Sequence, residues 1–80
     1  MSETSKLRWK CRRGMKELDL VLLRFLEQRY PDANNKERAT FEKILDMQDP
    51  ELYFLILGKK TSDDKDIDTL VETLRSIPRH

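Results

Sequence analysis

The sequence predicts an all-α fold, a compact single-domain bundle of about five short helices. Three observations carry this. Apolar residues recur at three- and four-residue intervals along most of the 80-residue chain. No stretch carries a strand signal. The 2 glycines and 3 prolines all fall at boundaries between periodic stretches. The length gives one domain, residues 1–80, with a core so small that the helices must share most of their apolar faces. Hydrophobic residues make up 38% and charged residues 39%, too apolar for a disordered chain and charged enough for a heavily solvated exterior.

The first helix is expected from about Ser5 to Arg13. Leu7 and Cys11 share one of its faces, and Trp9 and Arg13 share another, with Arg12 beside them. Trp9 either stacks on the neighbouring arginine, or is a core residue or simply a half-exposed aromatic. The second helix runs from about Met15 to Arg29. Leu18, Val21, Leu22, Phe25 and Leu26 form its core-facing stripe. Glu17, Leu20 and Arg24 share the opposite side. Tyr30-Pro31-Asp32 ends this helix, since a residue before proline disfavours helical geometry.

The third helix starts at Asn34, with Glu37 three residues on, and turns Phe41, Ile44 and Leu45 inward. The fourth takes Asp49 as N-cap and Pro50 in its first turn. Leu52 to Leu57 is apolar nearly all round, so this short helix should be central, and Gly58 stops it. The fifth begins near Asp63, presents Ile67, Leu70, Val71 and Leu74, and ends at Pro78.

Net charge is +1 but unevenly spread. Residues 1–16 hold six basic side chains and one acid, giving +5, and the remainder carries −4. A basic end on an acidic body fits an acidic partner surface or a nucleic acid; the commoner meaning of such a run is a solvated helix face. Cys11 is the single cysteine, so no internal disulfide forms; a reducing compartment is consistent, and a small core residue is the preferred reading. The longest apolar run, Leu52 to Leu57, is too short to span a bilayer. No signal peptide is visible, and the chain reads as a mature cytoplasmic protein, a monomer without membrane insertion. The only histidine is His80, expected to fray, so the usual general base and nucleophile–histidine arrangements are missing. One cysteine and a terminal histidine make no zinc site, and Gly14 and Gly58 lie too far apart for a phosphate-cradling loop. The expectation is a binding protein, not an enzyme, with no metal and no cofactor of its own.

One stretch looks like a site. Arg12-Arg13-Gly14-Met15-Lys16-Glu17-Leu18-Asp19 packs a guanidinium, a glycine and a carboxylate into one interhelical corner. Ordinary helix punctuation explains all three. Arg13 would meet the negative end of the first helix dipole, Gly14 would take the left-handed conformation, and Glu17 would sit in the first turn of the next helix.

The longer run from Trp9 to Asp19 resembles the signature of the succinate dehydrogenase flavinylation-factor family, the FAD assembly factors. The core of that signature is Arg-Gly-x-x-Glu, matched by Arg13, Gly14 and Glu17. The resemblance continues to Phe25, Glu27 and Tyr30, and more weakly through Phe41, Leu45, Asp49 and Pro50. It implies a factor that binds the flavoprotein subunit of succinate dehydrogenase, with the fumarate reductase flavoprotein as a further candidate client. It implies that the factor promotes covalent attachment of FAD to a client histidine, the FAD belonging to the client. The implied contact residues are Arg13, Gly14 and Glu17. Trp9, Lys10, Arg12 and Leu20 join them as the neighbouring basic, aromatic and apolar groups. Two other functions use the same surface: a protein-binding antitoxin or inhibitor, and a small nucleic-acid-binding regulator reading phosphates with residues 6–16.

Overall fold

The computed structural model describes residues 3–77, with side chains from Ser5 onward. It contains α1 (Glu3–Lys10), α2 (Lys16–Gln28), a 3₁₀ turn (Tyr30–Asp32), α3 (Asn35–Leu45), α4 (Asp49–Ile56) and α5 (Lys65–Ser76). There is no strand among the described residues. The Cα radius of gyration is 11.6 Å, which is what a compactly folded chain of this length adopts.

Local punctuation sets most boundaries. The Asn34 side chain accepts the Glu37 N–H at 2.8 Å and starts α3. Tyr30-Pro31-Asp32 tightens into the 3₁₀ turn after α2. At the end of α4, the Lys59 N–H donates to the Phe54 carbonyl and the Gly58 N–H to that of Leu55, with Gly58 at φ 78°. This is a Schellman closure, in which a left-handed glycine satisfies the last carbonyls of the helix. Asp64 caps α5, accepting the Asp66 N–H at 2.9 Å. Ile77 leaves α5 in extended geometry; the expected stop at Pro78 and the terminal His80 lie outside the described residues.

α5 packs against α2, α3 and α4, and α1 lies across α2 and α3. The core is built from Leu18, Leu22, Phe25, Phe41, Ile44, Leu52 and Leu70 with their neighbours. Phe25 and Phe41 meet at 4.6 Å between centroids, and Tyr30 stands 5.8 Å from Phe41. This aromatic cluster joins α2, the 3₁₀ turn and α3, and the Arg38 guanidinium lies 5.0 Å over the Tyr30 ring. Leu7 and Cys11 carry α1 onto the core, as their shared face predicts.

The structure corrects three expectations. α1 ends at Lys10, not at Arg13, so Trp9 and Arg13 do not share a helical face. The N-cap of α4 is Gln48, and Asp49 is its first residue. α4 is not central: Leu52 and Leu55 are buried, but Phe54 and Leu57 are 47% and 42% exposed. A run that is apolar all round carries no phase, so the sequence could not say which face turns outward.

Candidate functional site

The corner between α1 and α2 is built around Arg13. Its side chain is only 11% exposed. The guanidinium donates to the carbonyls of Leu45 and Met47, and to the Asp49 carboxylate at 3.0 Å. Its Nε donates to the Lys10 carbonyl at 3.1 Å. One planar fork thus closes the C-terminal ends of α1 and α3 and holds the first residue of α4. The Arg13 N–H donates to Asp19 Oδ1 at 2.7 Å. Asp19, from the first turn of α2, thereby fixes the backbone on the other side. The dipole-end role foreseen for Arg13 is present, but at two helices rather than one.

Gly14 follows at φ 82°, and a Cβ there would meet nothing within 4 Å. Its glycine is demanded by the backbone conformation, and the space beside it is open. Met15 stands before α2 in extended geometry without a side-chain cap. Glu17 is exposed, as its position opposite the core stripe predicts. Its Oε2 accepts the Tyr53 hydroxyl at 3.2 Å. The nearby carboxylate, through its charge and this hydrogen bond, holds the Tyr53 phenol above its ordinary pKa.

Glu17 and Leu20 line one groove of about 490 Å³ between α2 and α4, together with Arg24, Tyr53, Ile56 and Leu57. Leu20 is 43% exposed there, uncovered by any neighbouring helix. Trp9 is 74% exposed and Arg12 is exposed beyond the end of α1. Lys10 pairs with Asp46 across the surface at 3.6 Å and lines a different hollow, with Lys6, Leu7 and Glu42. The seven candidate residues therefore do not form one patch. Glu17 and Leu20 share a groove, Lys10 faces the α1–α3 side, and Arg13 points inward. Asp19, Asp49 and Tyr53 were not foreseen as parts of the site. Asp19 lies within the singled-out stretch, but neither spacing nor charge could pair it with the Arg13 N–H.

Cys11 is fully buried, and burial pushes its thiol up to about 11 against the opposing charges of Arg13 and Arg8. It is a packing residue, not a nucleophile. No group of three or more metal-ligating side chains occurs among the described residues.

A family model described as the flavinator of succinate dehydrogenase matches residues 5–78. The chain belongs to this family. A relative from Methylococcus capsulatus, named FAD assembly factor SdhE, is 39% identical over 77 residues, covering 96% of this chain and 93% of that one. Relatives of the same name from Coxiella burnetii and Colwellia psychrerythraea are each 36% identical. They align over 92% and 88% of this chain, and over 90% and 77% of their own lengths. The match takes in α1 from Ser5 and the whole of α2 to α5, so it covers the Arg13 joint and both walls of the α2–α4 groove.

Proposed function

We propose that this protein binds the flavoprotein subunit of succinate dehydrogenase and promotes covalent attachment of FAD to it. The observation that carries the reading is the family match over residues 5–78, which includes the built corner of Arg13, Gly14 and Glu17. The factor acts as an assembly factor rather than a catalyst. It holds a client conformation in which histidine and flavin meet in reactive geometry, a proximity effect. The flavin is the client's, and the factor carries no cofactor of its own.

Within the corner the roles divide. Glu17, accessible at the groove, accepts hydrogen bonds from client donors. Gly14 leaves open space for the client backbone. Arg13 is a positioning residue: its fork is engaged by the chain's own carbonyls and Asp49, so it holds the corner in shape. Trp9, Lys10 and Arg12 give the client's approach its basic and aromatic surroundings, and Leu20 gives apolar contact. We place the factor in the cytoplasm as a monomer. Among the described residues no helix is long and apolar enough to cross a membrane. The flavoprotein of fumarate reductase is the second client to test.

The test is reconstitution from apo-flavoprotein, FAD and factor, read by in-gel flavin fluorescence of the client subunit. Wild-type factor should raise covalent flavin. Glu17→Ala should cost at most about 1 kcal/mol of stability and still sharply reduce flavinylation. Normal incorporation by the folded variant would remove Glu17 from the site. No gain from wild-type factor with either client would overturn the function.

A further inference from the structure

Two contacts tie the corner to α4 in register. Arg13 meets Asp49 at 3.0 Å, and four residues later Glu17 meets Tyr53 at 3.2 Å. Both pairs are separated by 36 residues. Asp49 and Tyr53 are one turn apart on α4, so they lie on one side of that helix. The charged first and last residues of the motif are therefore both held by the same face of α4. The two ends differ in kind. The Arg13 contact is sheltered and anchors the start of α4 to the corner. The Glu17 contact lies at the mouth of an open groove, where Leu20, Val21, Ile56 and Leu57 supply apolar walls.

Glu is long and flexible, and an exposed carboxylate on the first turn of a helix samples several rotamers. A phenol hydroxyl donating to one oxygen selects among them and leaves the other oxygen for a partner. We propose that Tyr53 is a positioning residue for Glu17, orienting its carboxylate so that the second oxygen faces a hydrogen-bond donor of the client. This rests on the reading that Glu17 contacts the client. The raised phenol pKa accords with it: Tyr53 stays protonated, and hence a donor, throughout the physiological range.

The experiment is a double-mutant cycle on client flavinylation with Tyr53→Phe, Glu17→Gln and the pair, measured against client concentration. Tyr53→Phe keeps the ring and deletes only the donor. It should leave the melting temperature unchanged and raise the half-saturating client concentration roughly three- to tenfold. In the Glu17→Gln background the same change should have little effect, because the group it orients is already altered. A structural role would move the melting temperature and act alike in both backgrounds. If Glu17→Gln impairs the factor while Tyr53→Phe is neutral or additive with it, the positioning role is wrong. If Glu17→Gln is itself neutral, the Glu17 contact is wrong, and the role assigned to Tyr53 falls with it.

Discussion

The corners before α2 and before α5 use the same parts in different proportions. Each has a left-handed glycine, Gly14 at φ 82° and Gly58 at φ 78°. In each, an aspartate from the first turn of the following helix takes a backbone N–H six residues earlier: Arg13 to Asp19 at 2.7 Å, Ser62 to Asp68 at 2.8 Å. The corner before α5 needs little else. Gly58 ends α4 through main-chain bonds, and Asp64 caps α5. The corner before α2 has no side-chain cap, and its glycine stands four residues beyond α1. There a single side chain, Arg13, replaces local closure with contacts to three other segments. One corner is punctuation, legible where it stands; the other is a tertiary joint.

The sharpest way to break this comparison is Arg13→Ala. It would strand the Leu45 and Met47 carbonyls and leave Asp49 unpaired, so we expect a loss of about 3 kcal/mol by urea denaturation. Arg13→Lys should recover only part, because an ammonium cannot fork across these acceptors. Arg75, the exposed arginine beside Gly58, should cost under about 0.5 kcal/mol when replaced by Ala. Equal losses at Arg13 and Arg75 would end the distinction.

The shared clamp comes next. Asp19→Ala and Asp68→Ala each remove a carboxylate bonded to a loop N–H, and each should cost about 1.5 kcal/mol. Similar values would confirm a common device; a much larger one at Asp19 would show that the joint depends on it as well.

The glycines should differ least. Gly14→Ala should cost about 1 kcal/mol from its positive φ alone. Gly58→Ala carries the same strain, and its Cβ would also approach the Arg75 guanidinium to 3.2 Å. The small excess at Gly58 should vanish in an Arg75→Ala background.

The smallest effect is in pH. The Asp66 N–H holds the Asp64 carboxyl below its ordinary pKa. Its folded value lies below its unfolded one, so the stabilisation is present above the usual aspartate range and is lost as pH falls through the folded value. Asp64→Asn keeps a capping oxygen without a titrating proton and should flatten that part of the acid limb of a stability–pH curve.

Much of the helical order was legible because its signals are local. Tyr30-Pro31, Asn34 with Glu37, and Gly58 each act within a few residues of the boundary they set. The i, i+3, i+4 stripe of α2 was legible for the same reason. What was not legible was set at a distance. α1 gives up its last expected turn because Arg13 finds acceptors 32 to 36 residues away. Asp49 moves inside α4, where its carboxylate meets that arginine. The spacing that marks Arg13 and Glu17 recurs in Asp49 and Tyr53, but no spacing tells which helix will lie beside which. Exposure of Glu17 followed from the helical wheel; its phenol partner did not.

The Arg13 joint also bears on the order in which the chain folds. Its acceptors on α3 and α4 are far along the sequence, so the joint cannot close until those segments are made and docked. Helices α1 and α2 alone would carry the motif as a string of residues without its shape. A chain emerging from the ribosome, or one truncated before α4, would present no finished corner. Recognition by this surface would thus also report that the chain has been made and folded as far as α4.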